Sequence, residues 1–529
     1  MNNNKILSGA FWLSVGSIIS RVLGILYLIP WLMMIGDSNI STAQALFNSA
    51  YTPYALFISL GTAGFPSAIA RRVAYYNGTK EYSKGKELFH SGIILMGLSG
   101  IVCGVILFIL APIVARNSPV VSVRESVKAI RMVVPALVLI PVMSTIRGWF
   151  QGNQDLKPFG VSQVIEQLLR VIFILCSTYI IIYVLKLKYY VAVQASVFAA
   201  FIGAVFALIY LYTYYKKHQY HKYSFNKKKV SFSNTLNFMK LTLYESIPFL
   251  LVGSGITISQ LIDQIYFKQI MGFLNYSDTF IQYIYTLFSA NPAKITAVVI
   301  ALATAVSETS LPLLASTEKN SDRIKSLINQ NINYLLLMLL PAVIMLQTLA
   351  YEINMIFYTK SVIGGTYLKL NLFQSLLMAL GINGLTLLQA LRYSKKSVIY
   401  ISIGIIMKLI LQFPCVYLFQ GKGAIYATNI AFMVVCILSY GKLFKLYKIK
   451  LLNKANVVLV NVLFYVITNF LNYDIEYFIV PANKLSAMIY SGILSIIMVF
   501  IYILIIDCFD ISYRIMGRYI LIKKYIPRH

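Results

Sequence analysis

Acidic side chains are scarce in this chain: 17 Asp and Glu stand against 46 Lys and Arg over 529 residues, a formal net charge of +29. Charged residues of both signs together make up only 12% of it. The histidines (His90, His218, His221 and His529) lie in loops, at the edge of an apolar run or in the tail, so no histidine proton relay runs through the apolar segments. The cysteines at 103, 176, 415, 436 and 508 sit inside apolar runs without metal-ligand or redox spacing, and read as small core residues rather than disulfides or ligands. Neither a GxxxxGKS/T phosphate loop nor an HExxH zinc motif occurs. Connecting segments such as GDSNIST and FQGKG are too short to carry the paired acids of a membrane polymerase or glycosyltransferase. These absences weigh against ATP-driven pumps, zinc hydrolases and wall-polymerising enzymes. Neither a cofactor nor a metal site is expected, and the protein is not expected to be an enzyme.

What the chain has in abundance is apolar surface. Hydrophobic residues make up 59% and the mean hydropathy is +0.74. A helix needs about 20 apolar residues to cross the hydrocarbon core, and only helices or closed barrels satisfy every backbone group there. The runs here have that length and do not alternate, as barrel strands would. Fourteen spans are expected, near 7–35, 43–70, 88–114, 127–149, 158–185, 189–214, 241–267, 280–312, 328–350, 363–391, 397–417, 424–441, 455–471 and 485–507. The first is too long, and too free of a small-residue cleavage site, for a removed signal peptide. The fold class is an all-α polytopic membrane protein.

The excess of basic residues follows the membrane. With the N-terminus in the cytoplasm, the even-numbered connections and both termini hold 30 Lys and Arg, and the opposite connections hold ten. The positive-inside rule then places both ends in the cytoplasm and accounts for the charge without a nucleic-acid partner. A weak internal repeat accompanies this. Thr62-Ala63 and Met96 fall on Thr304-Ala305 and Met338 at an offset of 242, and Gln151, Lys157 and Arg170 fall on Gln389, Lys395 and Lys408 at an offset of 238. Six spans separate the copies, so two parallel six-helix lobes are expected, related by an axis along the membrane normal. The expected domains are an N-lobe over 1–215, a basic cytoplasmic linker over 216–240 and a C-lobe over 241–450. Spans 13 and 14 with a basic tail follow over 451–529.

With Lys128 and Arg131 at the start of the fourth span counted with the connection before it, six basic residues fall within spans: Arg21, Arg147, Arg170, Lys294, Lys369 and Lys408. A cation at the bilayer centre costs about 2.5–3.5 kcal/mol on insertion scales, so several together should face a water-filled cavity. Arg147 and Lys369 lie near span ends, where snorkelling competes with that role. Glu166 and Arg170 are four apart, so a local ion pair competes with it. Arg21, Lys294 and Lys408 have no acid three or four positions away; a partner across helices, such as Asp263 or Glu308, remains open. The interior is net positive, which suits an anion. With no ATP site and two pseudo-symmetric lobes, secondary transport by alternating access is the expected class.

The segments SGAFWLSVGSIISRVLGILYLIP, LGTAGFPSAIAR and RGWFQGNQDLKPFGVSQVIEQLLR resemble the multidrug/oligosaccharidyl-lipid/polysaccharide exporter superfamily. Within it the chain resembles most the MurJ/YtgP-type polysaccharide biosynthesis proteins. The resemblance spans the chain and is densest over 5–185. It implies a flippase for lipid II, the undecaprenyl-pyrophosphate-linked peptidoglycan precursor, with fourteen helices around a cationic cavity in a bacterial cell membrane. It also implies a monomer that works beside cell-wall synthesis proteins. The family's SRVLG arginine matches Arg21. A second family arginine, six residues on, is Tyr27 here; the span 2 arginine has no counterpart, and Lys294 stands near the place of the span 8 arginine. Some relatives bind sodium through a span 7 acid, for which Asp263 is the candidate, but span 11 has no matching acid. Coupling to membrane potential, Na+ or H+ therefore stays open. A flippase for another undecaprenyl-pyrophosphate-linked repeat unit shares all these features. A drug or cation antiporter would want an acidic cavity.

Overall fold

The structure is a computed structural model that describes Gly16 and residues 19–62, 65–218, 232–316, 321–449, 452–516 and 519–521. The described residues are 90% helical, with no strand among them. Its helices follow the apolar runs. Span 1 is Ile19–Ile35 and span 2 begins with Ile40–Thr62, the pair meeting at a 110° bend. Spans 3 to 6 are Tyr82–Asn117, Val123–Gly152, Lys157–Val184 and Tyr189–Lys217. Span 7 is Phe232–Phe273, and span 8 runs from Asp278 through a π-turn at Thr286–Ala290 into Pro292–Ser316. Spans 9 and 10 are Ser321–Thr348 and Val362–Ala390. Spans 11 and 12 lie within Ser394–Tyr447, and spans 13 and 14 are Leu452–Phe478 and Lys484–Cys508. This is an all-α polytopic membrane protein: among the described residues ten helices, or eleven if the bent pair counts as one span, are long and apolar enough to cross a membrane, which is consistent with fourteen spans.

Departures from the expected boundaries have local causes. Span 2 is helical over Ile40–Thr62 and the chain is helical again over Phe65–Gly78, with residues 63–64 of the expected span outside the described residues. Span 1 is interrupted by a turn at Tyr27. Residues 7–15, the start of the expected first span, lie outside the described residues, as do 219–231 of the expected linker. Spans 11 and 12 are joined almost without a loop, because Gln420 alone takes non-helical angles (φ 51, ψ −128).

The chain forms two compact units, Met1–Thr286 and Leu287–His529. In the first, span 1 is tied to span 6 by Trp31 Nε1 donating to Ser196 Oγ at 3.0 Å. Span 2 meets span 4 through the Ser49 and Ser126 hydroxyls at 2.9 Å. Gln194 of span 6 donates to the Glu125 carboxylate of span 4 at 2.6 Å. In the second unit, Asn383 of span 10 donates to Ser307 Oγ at 2.7 Å and Asn331 Oδ1 at 3.1 Å, and accepts from the Tyr440 hydroxyl at 2.9 Å. Spans 8, 9, 10 and 12 are thus pinned by one satisfied amide. Tyr502 of span 14 donates to the Leu337 carbonyl of span 9 at 3.1 Å, docking the last helix.

Candidate functional site

The charge-and-amide segment between spans 4 and 5 turns tightly and then enters the apolar layer. Span 4 ends at Gly152; Asn153 caps it and Gln154 takes φ 59. Asn77 donates to Asn153 Oδ1 at 3.1 Å, and the Tyr214 hydroxyl donates to Asp155 at 3.0 Å, so the turn is held from both sides. Span 5 restarts at Lys157 with Pro158 in its first turn. At 1.5 Å per residue, Glu166 lies about 13 Å and Arg170 about 20 Å along the helix from that start.

Those two residues and Arg147 form one cluster. Glu166 Oε1 accepts from the Arg170 guanidinium at 3.0 Å, and Glu166 Oε2 accepts from Arg147 at 3.0 Å. Arg147 Nε also donates to Ser162 Oγ at 2.9 Å, and the guanidinium stands 5.7 Å from the centre of the Phe159 ring. Side-chain exposures are 10% for Arg147 and 16% for Glu166 and Arg170, so all three groups are largely withdrawn from solvent. Two cations share one anion, leaving a formal +1. Neither arginine makes the two-bond fork with the carboxylate that would use its geometry fully. Arg170 Nε is buried with no acceptor. The Tyr27, Tyr51 and Tyr54 phenols lie within electrostatic reach of Arg170.

Close backbone contact fixes span 5 in place. A Cβ on Gly203 of span 6 would stand 2.5 Å from the Glu166 carbonyl oxygen and 3.3 Å from Arg170 Cβ. One on Gly16 would stand 2.5 Å from the Gly160 carbonyl oxygen. Any side chain at either place would push span 5 away from its neighbour and move the cluster with it.

The remaining candidate residues are placed separately. Arg21 is exposed on span 1. Asp263 is 6% exposed on span 7. Lys294 is partly buried in the first turn after the π-turn of span 8. The Glu308 side chain lies outside the described residues. Lys408 is 1% exposed, and its ammonium donates to the Ala424 carbonyl at 2.9 Å and to the Thr428 hydroxyl. Neutral oxygens of span 12 are therefore its neighbours in these contacts. Arg147 does not snorkel: it is 8% exposed and bonded to the middle of span 5. Ser162 and Thr428 were not singled out in the sequence. Ser162 could have been, since it lies four residues before Glu166 on the same helix face. Thr428 has no such signal, because its partner is on another span.

The family model for "Polysaccharide biosynthesis protein" matches residues 6–318. The chain belongs to this family. It is 31% identical over 449 residues to the lipid II flippase MurJ of Bacillus subtilis (strain 168), covering 82% of this chain and 81% of that one. It is 24% identical to the stage V sporulation protein B of the same organism over 41% of this chain and 40% of that one. A solved structure described as lipid II flippase MurJ in an inward closed conformation superposes with a TM-score of 0.66, at 16% identity, over 96% of this chain and 99% of that one. A eukaryotic MATE transporter superposes with a TM-score of 0.61 at 14% identity, over 83% of this chain and 96% of that one. The family and the fold together make this a multi-pass bacterial membrane protein of the transporter type.

Proposed function

We propose that this protein carries lipid II, an undecaprenyl-pyrophosphate-linked glycan, from the inner to the outer leaflet by alternating access. The observation that carries the proposal is the Arg147–Glu166–Arg170 cluster: two guanidinium groups and one carboxylate inside membrane helices, beside 31% identity to a lipid II flippase over most of both chains. A diphosphate presents several acceptor oxygens and about two negative charges. A net cation with unused N–H donors in a low-dielectric layer favours such a group and disfavours a cationic drug. Arg21, Lys294 and Lys408 add fixed positive charge along the path, and Asp263 and Glu308 are the acids available for ion coupling. The protein acts as a monomer with both termini in the cytoplasm, uses no organic cofactor or metal, and is not an enzyme.

The direct test is complementation of a bacterial strain depleted of its lipid II flippase, with accessibility of lipid II in the outer leaflet as the readout. Restored growth and restored accessibility are expected. Growth arrest with the protein present in the membrane would reject lipid II as the cargo and leave another undecaprenyl-pyrophosphate-linked repeat unit as the substrate.

A further inference from the structure

Glu166 is bonded to two arginines and fully satisfies neither. Each oxygen takes one N–H from one guanidinium, at 3.0 Å in both cases. Arg147 is held a second way, through Ser162 Oγ, which in turn donates to the Phe159 carbonyl at 2.8 Å. Arg170 makes no such second hydrogen bond among the described residues, and its Nε is buried without an acceptor. The main chain that carries Glu166 is also held from behind, because Gly203 of span 6 packs against its backbone carbonyl. The arrangement is an anion in a cationic pocket that a stronger anion can outcompete. A carboxylate offers two oxygens and one charge, whereas a diphosphate offers more of both.

We infer that Glu166 is a positioning residue that acts by exchange, serving as the resident counter-ion of Arg147 and Arg170 and yielding them to the cargo's diphosphate. This rests on the transport function proposed above. With the site empty, Glu166 keeps two guanidinium groups ordered and neutralises one charge. When the diphosphate enters, Arg170 turns its unsatisfied fork to the phosphate oxygens while Ser162 keeps Arg147 in register. When the cargo must leave, the carboxylate recaptures both cations and so shortens the dwell time. Removing the carboxylate and removing an arginine then have opposite effects on affinity, which a purely structural ion-pair network does not produce.

The test uses the purified full chain in lipid nanodiscs, with undecaprenyl diphosphate as the probe and undecaprenol as the uncharged control. Glu166→Gln keeps the shape and removes the charge. It is expected to bind the diphosphate about tenfold tighter, equivalent to about 1.4 kcal/mol, and to transport with both KM and kcat lowered. Arg147→Gln leaves both carboxylate oxygens to Arg170 and is expected to bind about tenfold more weakly. Thermal melting of each variant reports folding independently. If Glu166→Gln does not fold, Arg147→Gln still decides: folded protein with unchanged affinity overturns the inference. Both variants shifting affinity in the same direction, with wild type selecting the diphosphate over undecaprenol, also overturns it and leaves the transport proposal standing. Wild type that fails to distinguish the two lipids removes the transport proposal and this inference with it.

Discussion

An ammonium group withdrawn from water has three N–H donors to satisfy, and Lys408 places two hydrogen bonds on oxygens of span 12, the Ala424 carbonyl and the Thr428 hydroxyl. Thr428 also donates to the Ala424 carbonyl at 3.0 Å, so the acceptors are themselves ordered. Removing an acceptor while the charge stays is the costlier lesion. Thr428→Val is therefore expected to destabilise the protein by about 1–3 kcal/mol, and Lys408→Met, which removes charge and donors together, by less. Thermal denaturation in detergent micelles, comparing the two variants, checks the order. At this scale the sequence showed part of the site. The Glu166–Arg170 pair was visible because four residues make one helical turn. Arg147 was among the candidates, but its bond to Glu166 was not visible, since it crosses a turn between spans. Nor were the acceptors of Lys408, because a search for opposite charge overlooks neutral oxygens on a neighbouring helix.

Among elements, spans 7 and 8 are sewn to spans 2 and 3 and to the connection between spans 3 and 4 at one end of the first unit. Gln264 of span 7 donates to the Ser49 carbonyl at 3.1 Å and to Ser118 Oγ at 2.7 Å. Gln282 accepts from the Val121 amide at 2.9 Å, and Asn48 donates to the Tyr285 hydroxyl at 2.9 Å. Gln269 donates to Asn117 at 2.9 Å on the exposed rim. The contacts named in this seam join neutral groups, so breaking them separates no ion pair. With the native cysteines at 103, 176, 415, 436 and 508 replaced, the pair Asn117→Cys and Gln269→Cys should cross-link with a short bifunctional thiol reagent that a reductant can cleave. Transport should stop on cross-linking and return on reduction, followed as glycan-lipid accessibility; a cross-linked protein that still transports would show that this seam stays shut throughout the cycle. Helix positions were legible because runs of about 20 apolar residues have few alternatives. Interruptions were not: the turn at Tyr27, the π-turns at Ile180–Val184 and Thr286–Ala290, and the single-residue break at Gln420 carry little hydropathy signal.

For the whole molecule the question is what drives net export without a nucleotide site. A diphosphate bears about two negative charges, and moving one charge through 100 mV is worth about 2.3 kcal/mol. Outward transfer of uncompensated cargo charge would then gain roughly 4–5 kcal/mol per 100 mV with the cell interior negative. On the function proposed above, fixed cations such as Arg170 and Lys294 would lower the desolvation barrier without themselves crossing. Dissipating the potential at constant ATP and constant pH is expected to reduce outer-leaflet exposure of the glycan lipid. Unchanged exposure over many turnovers would point to counter-transport of an ion, with Asp263 the first residue to replace.

The pairing of Glu166 with Arg170 bears on how the chain is made as well as on how it works. The two sit on one helix, four residues apart and 3.0 Å from contact, so span 5 carries its own neutralising partner when it leaves the translocon and meets lipid. Arg147 docks onto a carboxylate that is already in place. Lys408 has no acid three or four residues away on span 11, and two of its acceptors come with span 12, 16 and 20 residues later. The near absence of a loop at Gln420 keeps those acceptors within reach at that moment. Spans 11 and 12 are thus built to partition into the bilayer together, as a single inserted hairpin, while span 5 can enter alone.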